Sequence, residues 1–351
     1  MKSRTKMLLN YALILGTLLI VVIIGIRGQE FDHLGEVLRA IHPIALLPCL
    51  LLWMFYVLAD GLSFHHYLGL HGHRVSLPYA VFICLAGQYY SNVTPGASGG
   101  QPMQVYYMRK KGIPVGVGTS AVTVQFFCFQ MMLAVVSSVL WIVYRDYIHG
   151  LLGNNIWMLV IGYAVNLAGV VLSALMALHR GLVRGMGTLG VRVGAKLRLC
   201  KRPEAALAKW NEHTEAFHDS VFFLIRHPLS FAWLLFLNLC RLFAHCSAVV
   251  LIYRLLGLTG THGLKLFTLA MMLHMTAAYV PLPGASGAQE GGFGLYFDGI
   301  FPEGTLFPAM LLWRFFTYYI FLLFGAIALS VHAARSGEKP KQDEIEAGGG
   351  L

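Results

Sequence analysis

Two nine-residue segments of nearly identical sequence are the features best suited to chemistry. Thr94–Pro102 reads TPGASGGQP and Leu282–Glu290 reads LPGASGAQE, so six of nine positions agree at an offset of 188 residues. In both, proline stops an incoming helix, glycine allows a left-handed backbone, and serine can cap the returning helix. The free amides at the start of a helix favour an anion such as a lipid phosphate. The alternative interpretation is two helix-breaking turns with a purely structural role.

Three ionisable residues lie in or beside apolar segments and could act on such an anion. Arg241 lies twelve residues into one apolar segment, Arg314 lies about ten residues into another, and Glu290 closes the second motif. An ionisable group at membrane depth is a functional candidate by default. One hypothesis is that both arginines bind a phosphate through bidentate bonds while Glu290 orients an arginine or handles a cationic head group or a proton. The other is a buried Arg–Glu pair that only holds helices together.

The candidate head-group site combines these charges with polar and glycine positions of the two motifs. Polar side chains around the first motif could bind a head group or satisfy backbone groups that the turn sets free. The candidate residues are Arg241, Arg314, Glu290, Ser98, Ser286, Gly96, Gly99, Gly284, Gly287, Gln101, Gln289, Tyr90 and Asn92. None of them is predicted to be catalytic.

The sequence predicts neither a metal site nor a cofactor. Asp60 is followed by His65, His66, His71 and His73, but this spacing matches no closed metal site, and we expect interfacial histidines. The six cysteines form no CxxC pair, so no disulfide or zinc framework is expected.

The composition indicates that these residues lie in a protein embedded in a membrane. Of 351 residues, 57% are hydrophobic and 12% are charged, against about 25% charged in a soluble domain. This excludes a soluble enzyme, a secreted disulfide scaffold and a disordered chain. Long runs without Asp, Glu, Lys or Arg predict an all-α polytopic membrane protein. These runs are Met7–Ile26, Pro43–Ala59, Val75–Met108, Gly112–Tyr144, Tyr147–His179 and Leu266–Gln289.

The distribution of basic residues predicts the topology. Nineteen Lys/Arg can be placed on the cytoplasmic side and five outside, so the net charge of +10 indicates orientation and not nucleic-acid binding. Residues 78–108 and 264–300 each begin and end on one side, and their centres are hostile to helix. We therefore expect about six spanning helices and two re-entrant hairpins, the first entered from the cytoplasm and the second from outside. Such inverted repeats with interrupted segments are typical of transporters.

The remaining segments complete a single transmembrane domain over residues 1–334. Met7–Ile26 is expected to be a retained first helix and not a removed signal peptide, and Gln29–Ile41 an amphipathic helix at the outer interface. Residues 179–227 form the basic cytoplasmic loop, within which Ala216, Phe217, Val221 and Leu224 predict a surface helix. Residues 335–351 are expected to be a disordered tail. Both termini are then cytoplasmic, and the protein lies in the inner (plasma) membrane of the cell.

Four stretches of the chain resemble a known family. They are Gly87–Gly116, Thr119–Gln130, Pro281–Phe297 and Leu312–Tyr319. They are similar to the lysylphosphatidylglycerol synthase transmembrane-region family, also called the flippase-like domain family. The resemblance implies a helical fold with two oppositely oriented re-entrant hairpins and lipid translocation between leaflets.

The resemblance also has consequences for individual residues. It places the family's acidic motif position on Glu290 and its arginine position on Arg314. This chain reads Gln125-Phe126 where many members have a Glu-Arg pair. We expect no aminoacyl-transferase domain of the kind fused to some members, because membrane segments and loops use the whole chain, and lysyl transfer to lipid is therefore not expected.

The leading functional hypothesis is a non-enzymatic, flippase-like transporter of an anionic phospholipid or a polyprenyl-linked lipid. One alternative is a membrane-embedded enzyme acting on lipid phosphates, which the scarcity of embedded acids disfavours. Another is a scaffold that binds a lipid-synthesis enzyme through the basic loop. The expected partners are membrane lipids, with a homo-oligomer and that enzyme also considered, and no nucleic acid.

Overall fold

The computed structural model describes residues 39, 41–196, 203–277, 280, 282–302 and 304–335, and this part of the chain contains helices and turns but no strand. The predicted helix Met7–Ile26, nearly all of Gln29–Ile41 and the tail after Arg335 lie outside the described residues. The helices, in chain order, are α1 (Leu47–Leu70), α2 (Leu77–Val93), α3 (Gly100–Lys110), α4 (Val115–Val143), α5 (Arg145–Leu152), α6 (Ile156–Leu178), α7 (Arg180–Lys196), α8 (Pro203–Ile225), α9 (Pro228–Leu255), α10 (Gly263–Ala277), α11 (Ala288–Phe297), α12 (Leu306–Arg314) and α13 (Ile320–Arg335).

Five helical segments of the described chain are long and apolar enough to cross a membrane. They contain 28 to 34 residues, whereas a hydrocarbon core of about 30 Å requires about 20. They coincide with five of the six predicted crossings, and the sixth is Met7–Ile26. The prediction of an all-α polytopic membrane protein is confirmed. The five segments are Pro43–Leu70, Val115–Val143, Arg145–Leu178, Pro228–Leu255 and Leu306–Arg335.

The two repeated motifs join the limbs of two short helical hairpins, α2–α3 and α10–α11. The limbs pack closely because glycine faces the partner limb. A Cβ on Gly87 would lie 2.3 Å from the side-chain Nε2 of Gln104. In the second hairpin, a Cβ on Gly292 would lie 2.5 Å from a methyl group of Leu273. No side chain larger than hydrogen fits either position without moving its neighbour.

The first hairpin opens toward the end of the bundle that carries α8. At that end, the ammonium of Lys111 lies 4.7 Å from the ring centroid of Tyr79, at the start of α2. His71, just after α1, contacts the backbone oxygen of Ser220 in α8 through its Nε2 at 2.9 Å. The open ends of α2 and α3 therefore lie beside the end of α1 and beside α8.

The second hairpin opens toward the other end. Lys265, in the first turn of α10, lies over the ring of Tyr147 in α5 at 4.7 Å, beyond the far end of α4. Phe301, just after α11, contacts Tyr253 near the end of α9, with ring centroids 5.3 Å apart. The two hairpins therefore extend in opposite senses relative to the bundle. Their re-entry into a bilayer stays a prediction that the proposed function uses.

The turns of the two hairpins meet inside the protein. The turn Pro95–Ala97 lies against the turn Pro283–Ala285. The hydroxyl of Tyr318, between α12 and α13, donates to the backbone oxygen of Asn92 at 3.3 Å. Segments far apart in sequence thus form one central region.

The predicted helix near residue 217 exists, but its apolar side is buried. Phe217, Val221 and Leu224 of α8 are 2–5% exposed and pack with side chains of α1, α2 and α4, while Ala216 is half-buried. The prediction of a surface helix is therefore wrong for this face. Residues spaced four and three apart form one apolar side, which packs against the bundle.

Helix α7 is attached to α8 by ion pairs. Arg180 lies 2.5 Å from a carboxylate oxygen of Glu215 and 2.6 Å from one of Asp219, and Arg184 also pairs with Glu215. The segment predicted as a basic loop is thus largely a pair of helices.

Candidate functional site

A buried ion pair lies beneath the second turn. Arg314, at the end of α12, is 4% exposed and Glu290, in the first turn of α11, is 3% exposed. The Nε of Arg314 donates to Oε1 of Glu290 at 2.6 Å, and its Nη2 donates to Ser286 Oγ at 3.0 Å and to the backbone oxygen of Gly284 at 3.2 Å. The guanidinium therefore joins α12 to the turn and to α11.

The backbone of both turns is left-handed at the same two positions. Gly96 has φ +61° and Ala97 +56°; Gly284 has φ +59° and Ala285 +49°. An alanine in this region costs about 1–2 kcal/mol, so the surrounding contacts must maintain the geometry. At Gly284 there is also no space for a side chain, because a Cβ would lie 2.1 Å from the ring of Tyr318.

A π-helical turn, Phe315–Tyr319, connects α12 to α13 at this site. The guanidinium of Arg314 lies 4.6 Å from the ring centroid of Tyr318, within the range of a cation–π contact. π-turns inside α-helices are frequent at functional sites. Arg314 and Tyr318 thus face the meeting point of the two turns together.

The predicted capping by the two serines is wrong. Ser98 Oγ donates to the backbone oxygen of Pro95 and Ser286 Oγ donates to that of Pro283, each at 2.9 Å. Because the preceding residues are left-handed, each hydroxyl folds back over its own turn and does not reach the first amides of the next helix. Ser286 also accepts the hydrogen bond from Arg314.

Other side chains fix the starts of the returning helices. Thr94 Oγ1 accepts from the amide of Gly99 at 2.8 Å and donates to the backbone oxygen of Tyr90 at 2.6 Å. In the second turn, Oε2 of Glu290 accepts from the amide of Gly287 at 2.6 Å, which forms half of a capping box. Sequence reasoning missed Thr94, although a threonine before PG is a common turn residue.

The two turns differ in exposure. The first, from Pro95 to Ser98, is exposed, as is Gln101, whereas Gly99 and the flanking Tyr90 and Asn92 are half-buried. In the second turn, Ser286, Gln289 and Glu290 are buried, and Gly284 and Gly287 are half-buried. The amide oxygen of Gln289 is buried without a hydrogen-bond partner in the described chain.

A second buried ion pair holds Arg241. This side chain, 7% exposed in α9, lies 3.0 Å from Oδ1 of Asp60 in α1. It donates to Asn238 Oδ1 at 2.8 Å and to the hydroxyl of Tyr56 at 3.1 Å. The rings of Tyr56 and Phe129 lie on it at 5.1 and 5.0 Å. The Nε of Arg241 is buried and has no hydrogen-bond partner within the described part of the chain.

The Arg241 pair extends to the first hairpin. The thiol of Cys84, in α2, donates to Oδ2 of Asp60 at 2.7 Å. Gln125 contacts Oδ1 of Asp60 through its Nε2 at 3.4 Å and accepts from Asn238 Nδ2 at 2.9 Å. The sequence grouped Asp60 with the histidines that follow it, and so missed its pairing with Arg241. The signal was available, since Asp60 is an acid beside an apolar run and Arg241 a base inside one.

The two arginines do not form one joint clamp. Each has its own carboxylate, Arg314 with Glu290 and Arg241 with Asp60, so the formal charges of the two pairs sum to zero. The sequence left two interpretations open, arginines that bind a phosphate and a buried Arg–Glu pair that joins helices. The Arg–Glu contact of the second interpretation is present at Arg314.

The comparison with known families agrees with this fold. The family described as "Lysylphosphatidylglycerol synthase TM region" matches residues 7–325. The chain belongs to this family. The chain is also similar to a UPF0104 membrane protein of Archaeoglobus fulgidus, with 21% identity over 268 residues, which are 76% of this chain and 79% of that protein.

In this chain, the position where many family members were expected to carry a Glu-Arg pair is part of the Arg241 network. Gln125 supplies an amide there, and the carboxylate comes from Asp60 of α1. Phe126, the second position, is 37% exposed. Among the described residues, no group of three or more His, Cys, Asp or Glu is arranged to hold a metal ion.

Proposed function

We propose that this membrane protein moves a phosphate-bearing lipid between the two leaflets, without changing it chemically. The observation that carries this proposal is the meeting of two similar turns, reached from opposite ends of the bundle, over the buried guanidinium of Arg314. Interrupted helices in inverted repeats are where transporters bind substrate. The substrate class is an anionic phospholipid or a polyprenyl-linked lipid.

The charges suggest how a head group would bind. Arg314 and Glu290 neutralise one another, so the empty site carries little net charge in the membrane. A phosphate would compete with Glu290 for the guanidinium, because Arg binds phosphate and carboxylate in the same bidentate manner. Loss of the phosphate would restore the pair, which would offset part of the free energy lost on release. The acyl or prenyl chains would remain in the surrounding lipid.

Access to the site would alternate through relative movement of the two hairpins. The Tyr318–Asn92 hydrogen bond joins the π-turn to the first hairpin in the described conformation. Separation at this contact would open the site toward one side. Rocking of one repeat against the other around a fixed site is the general mechanism of such folds.

The test is lipid movement in reconstituted liposomes. Lipids with a fluorescent head-group label are followed by chemical quenching of the outer leaflet, for several anionic lipids. We expect the wild-type protein to accelerate movement and Arg314→Ala to abolish the acceleration. Arg254→Ala is the matched control, because Arg254 is exposed at the end of α9 and contacts only a backbone oxygen among the described residues. Equal rates of lipid movement in the wild type and in Arg314→Ala, for every lipid tested, would refute the proposal.

The enzymatic alternative predicts a different outcome. A lipid-phosphate enzyme would convert the lipid, and a metal-dependent one would require a divalent ion for turnover. We expect lipid recovered from the liposomes to be unchanged by mass spectrometry, with and without added magnesium.

A scaffold function has one specific observation in its favour. Helix α7 carries an exposed apolar stripe at spacings of four, three and four residues, formed by Leu182, Met186, Leu189 and Val193. Such a stripe suits a partner helix or a lipid-synthesis enzyme at the cytoplasmic face. Met186→Lys with Leu189→Lys would then abolish recruitment of that enzyme without reducing lipid movement. A fall in lipid movement with normal recruitment would argue against a scaffold.

The plasma-membrane orientation is part of the proposal and rests on the basic residues. Lys209 of α8 would face the cytoplasm and Asp146 of α5 the outside, and both are exposed. Lys209→Cys and Asp146→Cys can be labelled in intact cells with an impermeant maleimide. We expect labelling of Asp146→Cys alone. Labelling of Lys209→Cys alone would show that the topology is the inverse of the proposed one.

A further inference from the structure

A basic cavity lies at the open end of the first hairpin. The α1–α2 loop and the α3–α4 loop border an open cavity of about 440 Å³. Its polar lining consists of His73, Arg74, Ser76, Tyr79 and Lys111, and no carboxylate contributes to it. The cavity belongs to neither buried arginine centre.

The two loops that form the cavity are built in the same way. Each has a left-handed glycine after a helix, with φ +80° at Gly72 and +81° at Gly112. The amide of His73 then donates to the oxygen of Leu68 at 2.9 Å, and that of Ile113 donates to Met108 at 3.2 Å. The carbonyl ends of α1 and α3, which would repel an anion, are thereby partly satisfied.

Among the residues that the structure describes, the positive charges of the cavity have no carboxylate partner. Arg74 makes no hydrogen bond or ion pair with a described residue, and Lys111 is placed over the ring of Tyr79. Tyr79 is itself fixed, because its hydroxyl donates to the backbone oxygen of Tyr107 at 2.8 Å. Four other described arginines are each paired with a carboxylate: Arg180, Arg184, Arg241 and Arg314.

The start of α2 adds to the positive potential. Ser76 precedes the helix, is exposed, and its hydroxyl makes no capping hydrogen bond. The amino end of a 17-residue helix attracts negative charge, and an uncapped serine leaves a hydroxyl for the same ligand.

We propose that this cavity binds a phosphate group, either the head-group phosphate of a lipid or a free phosphate. Arg74 and Lys111 neutralise its charge, and the Ser76 hydroxyl donates a hydrogen bond to it beside the positive end of the α2 dipole. The site is separate from the PGASG turns, and its existence does not depend on lipid movement. In a lipid transporter it would hold a head group at the mouth of the first hairpin before entry.

Binding to purified full-length protein in an uncharged detergent tests the proposal. The probes are dihexanoyl phosphatidylglycerol and inorganic phosphate, titrated separately by isothermal calorimetry. We expect binding of at least one probe, and a loss of about tenfold or more in affinity for Arg74→Gln/Lys111→Gln, since one charge-assisted hydrogen bond is worth roughly that factor. Arg74→Lys/Lys111→Arg should retain binding.

Lys265→Gln is the matched control. Lys265 also lies 4.7 Å over a tyrosine ring, that of Tyr147, but at the other end of the bundle. Its removal should leave affinity unchanged. Binding of the lipid probe alone assigns the site to a head group, and binding of inorganic phosphate, alone or with the lipid, assigns it to phosphate itself. Absence of binding to the wild type, or equal affinity in the double glutamine variant, would overturn the proposal, whatever the result of the liposome assay.

Discussion

The Nε of Arg314 donates to Oε1 of Glu290 at 2.6 Å, while the other oxygen of Glu290 accepts the amide of Gly287 at the start of α11. One carboxylate thus caps a helix and neutralises an arginine from a different helix. Any ligand that takes the guanidinium from Glu290 also changes the contacts of the second turn. In the proposed mechanism, this coupling links head-group binding to movement of the hairpin.

The Arg314–Glu290 pair is expected to stabilise the protein as a unit. Glu290→Gln keeps the shape of the side chain but leaves a buried guanidinium without its counter-charge, at a cost on the order of 3 kcal/mol. The melting temperature in detergent should fall. The double variant Glu290→Gln/Arg314→Gln should lose less than the sum of the two single variants. Strictly additive losses would show that the two residues do not interact.

The Asp60–Arg241 pair should behave similarly. Asp60→Asn removes the counter-charge of Arg241 and should lower the melting temperature strongly. Asp146→Asn is the control, because Asp146 is exposed on α5. Comparable melting temperatures for the two variants would contradict a buried pair at Asp60.

Two equivalent glycines should respond differently to alanine. Gly96→Ala meets no atom within 4 Å and adds only backbone strain, about 1 kcal/mol. Gly284→Ala has a similar φ but also clashes with the ring of Tyr318, so its melting temperature should be clearly lower. Tyr318→Leu in the Gly284→Ala background should restore part of the loss. Equal effects of the two alanines would argue that Tyr318 does not pack on Gly284.

The contact between the hairpins should influence access. Tyr318→Phe removes one hydrogen bond to Asn92, worth about 1 kcal/mol, and keeps the ring that lies over Arg314. We expect lipid movement at a changed rate with little loss of stability. Tyr319→Phe, whose hydroxyl makes no hydrogen bond with a described residue, should leave the rate unchanged. Equal rates of lipid movement in the Tyr318→Phe and Tyr319→Phe variants would show that this contact has no part in the mechanism.

Much of the architecture was predictable from the sequence because it depends on local patterns. Apolar runs located the spanning helices, and the repeated motif located the two turns. An acid beside one apolar run and a base inside another indicated that Asp60 and Arg241 need partners, but their pairing with each other depends on the packing of α1 against α9, which no local spacing encodes. The serine hydroxyls were misassigned because the left-handed backbone at Ala97 and Ala285 rotates them away from the returning helices.

The most direct test of lipid transport through this site is the rate of lipid movement in liposomes containing Arg314→Lys. Lysine keeps a positive charge for Glu290 but loses the planar set of donors that matches a phosphate. Lipid movement should fall about tenfold or more, as loss of one charge-assisted hydrogen bond implies, while the melting temperature stays close to that of the wild type. A well-folded Arg314→Lys protein that moves lipid at the wild-type rate would show that the pair only joins helices.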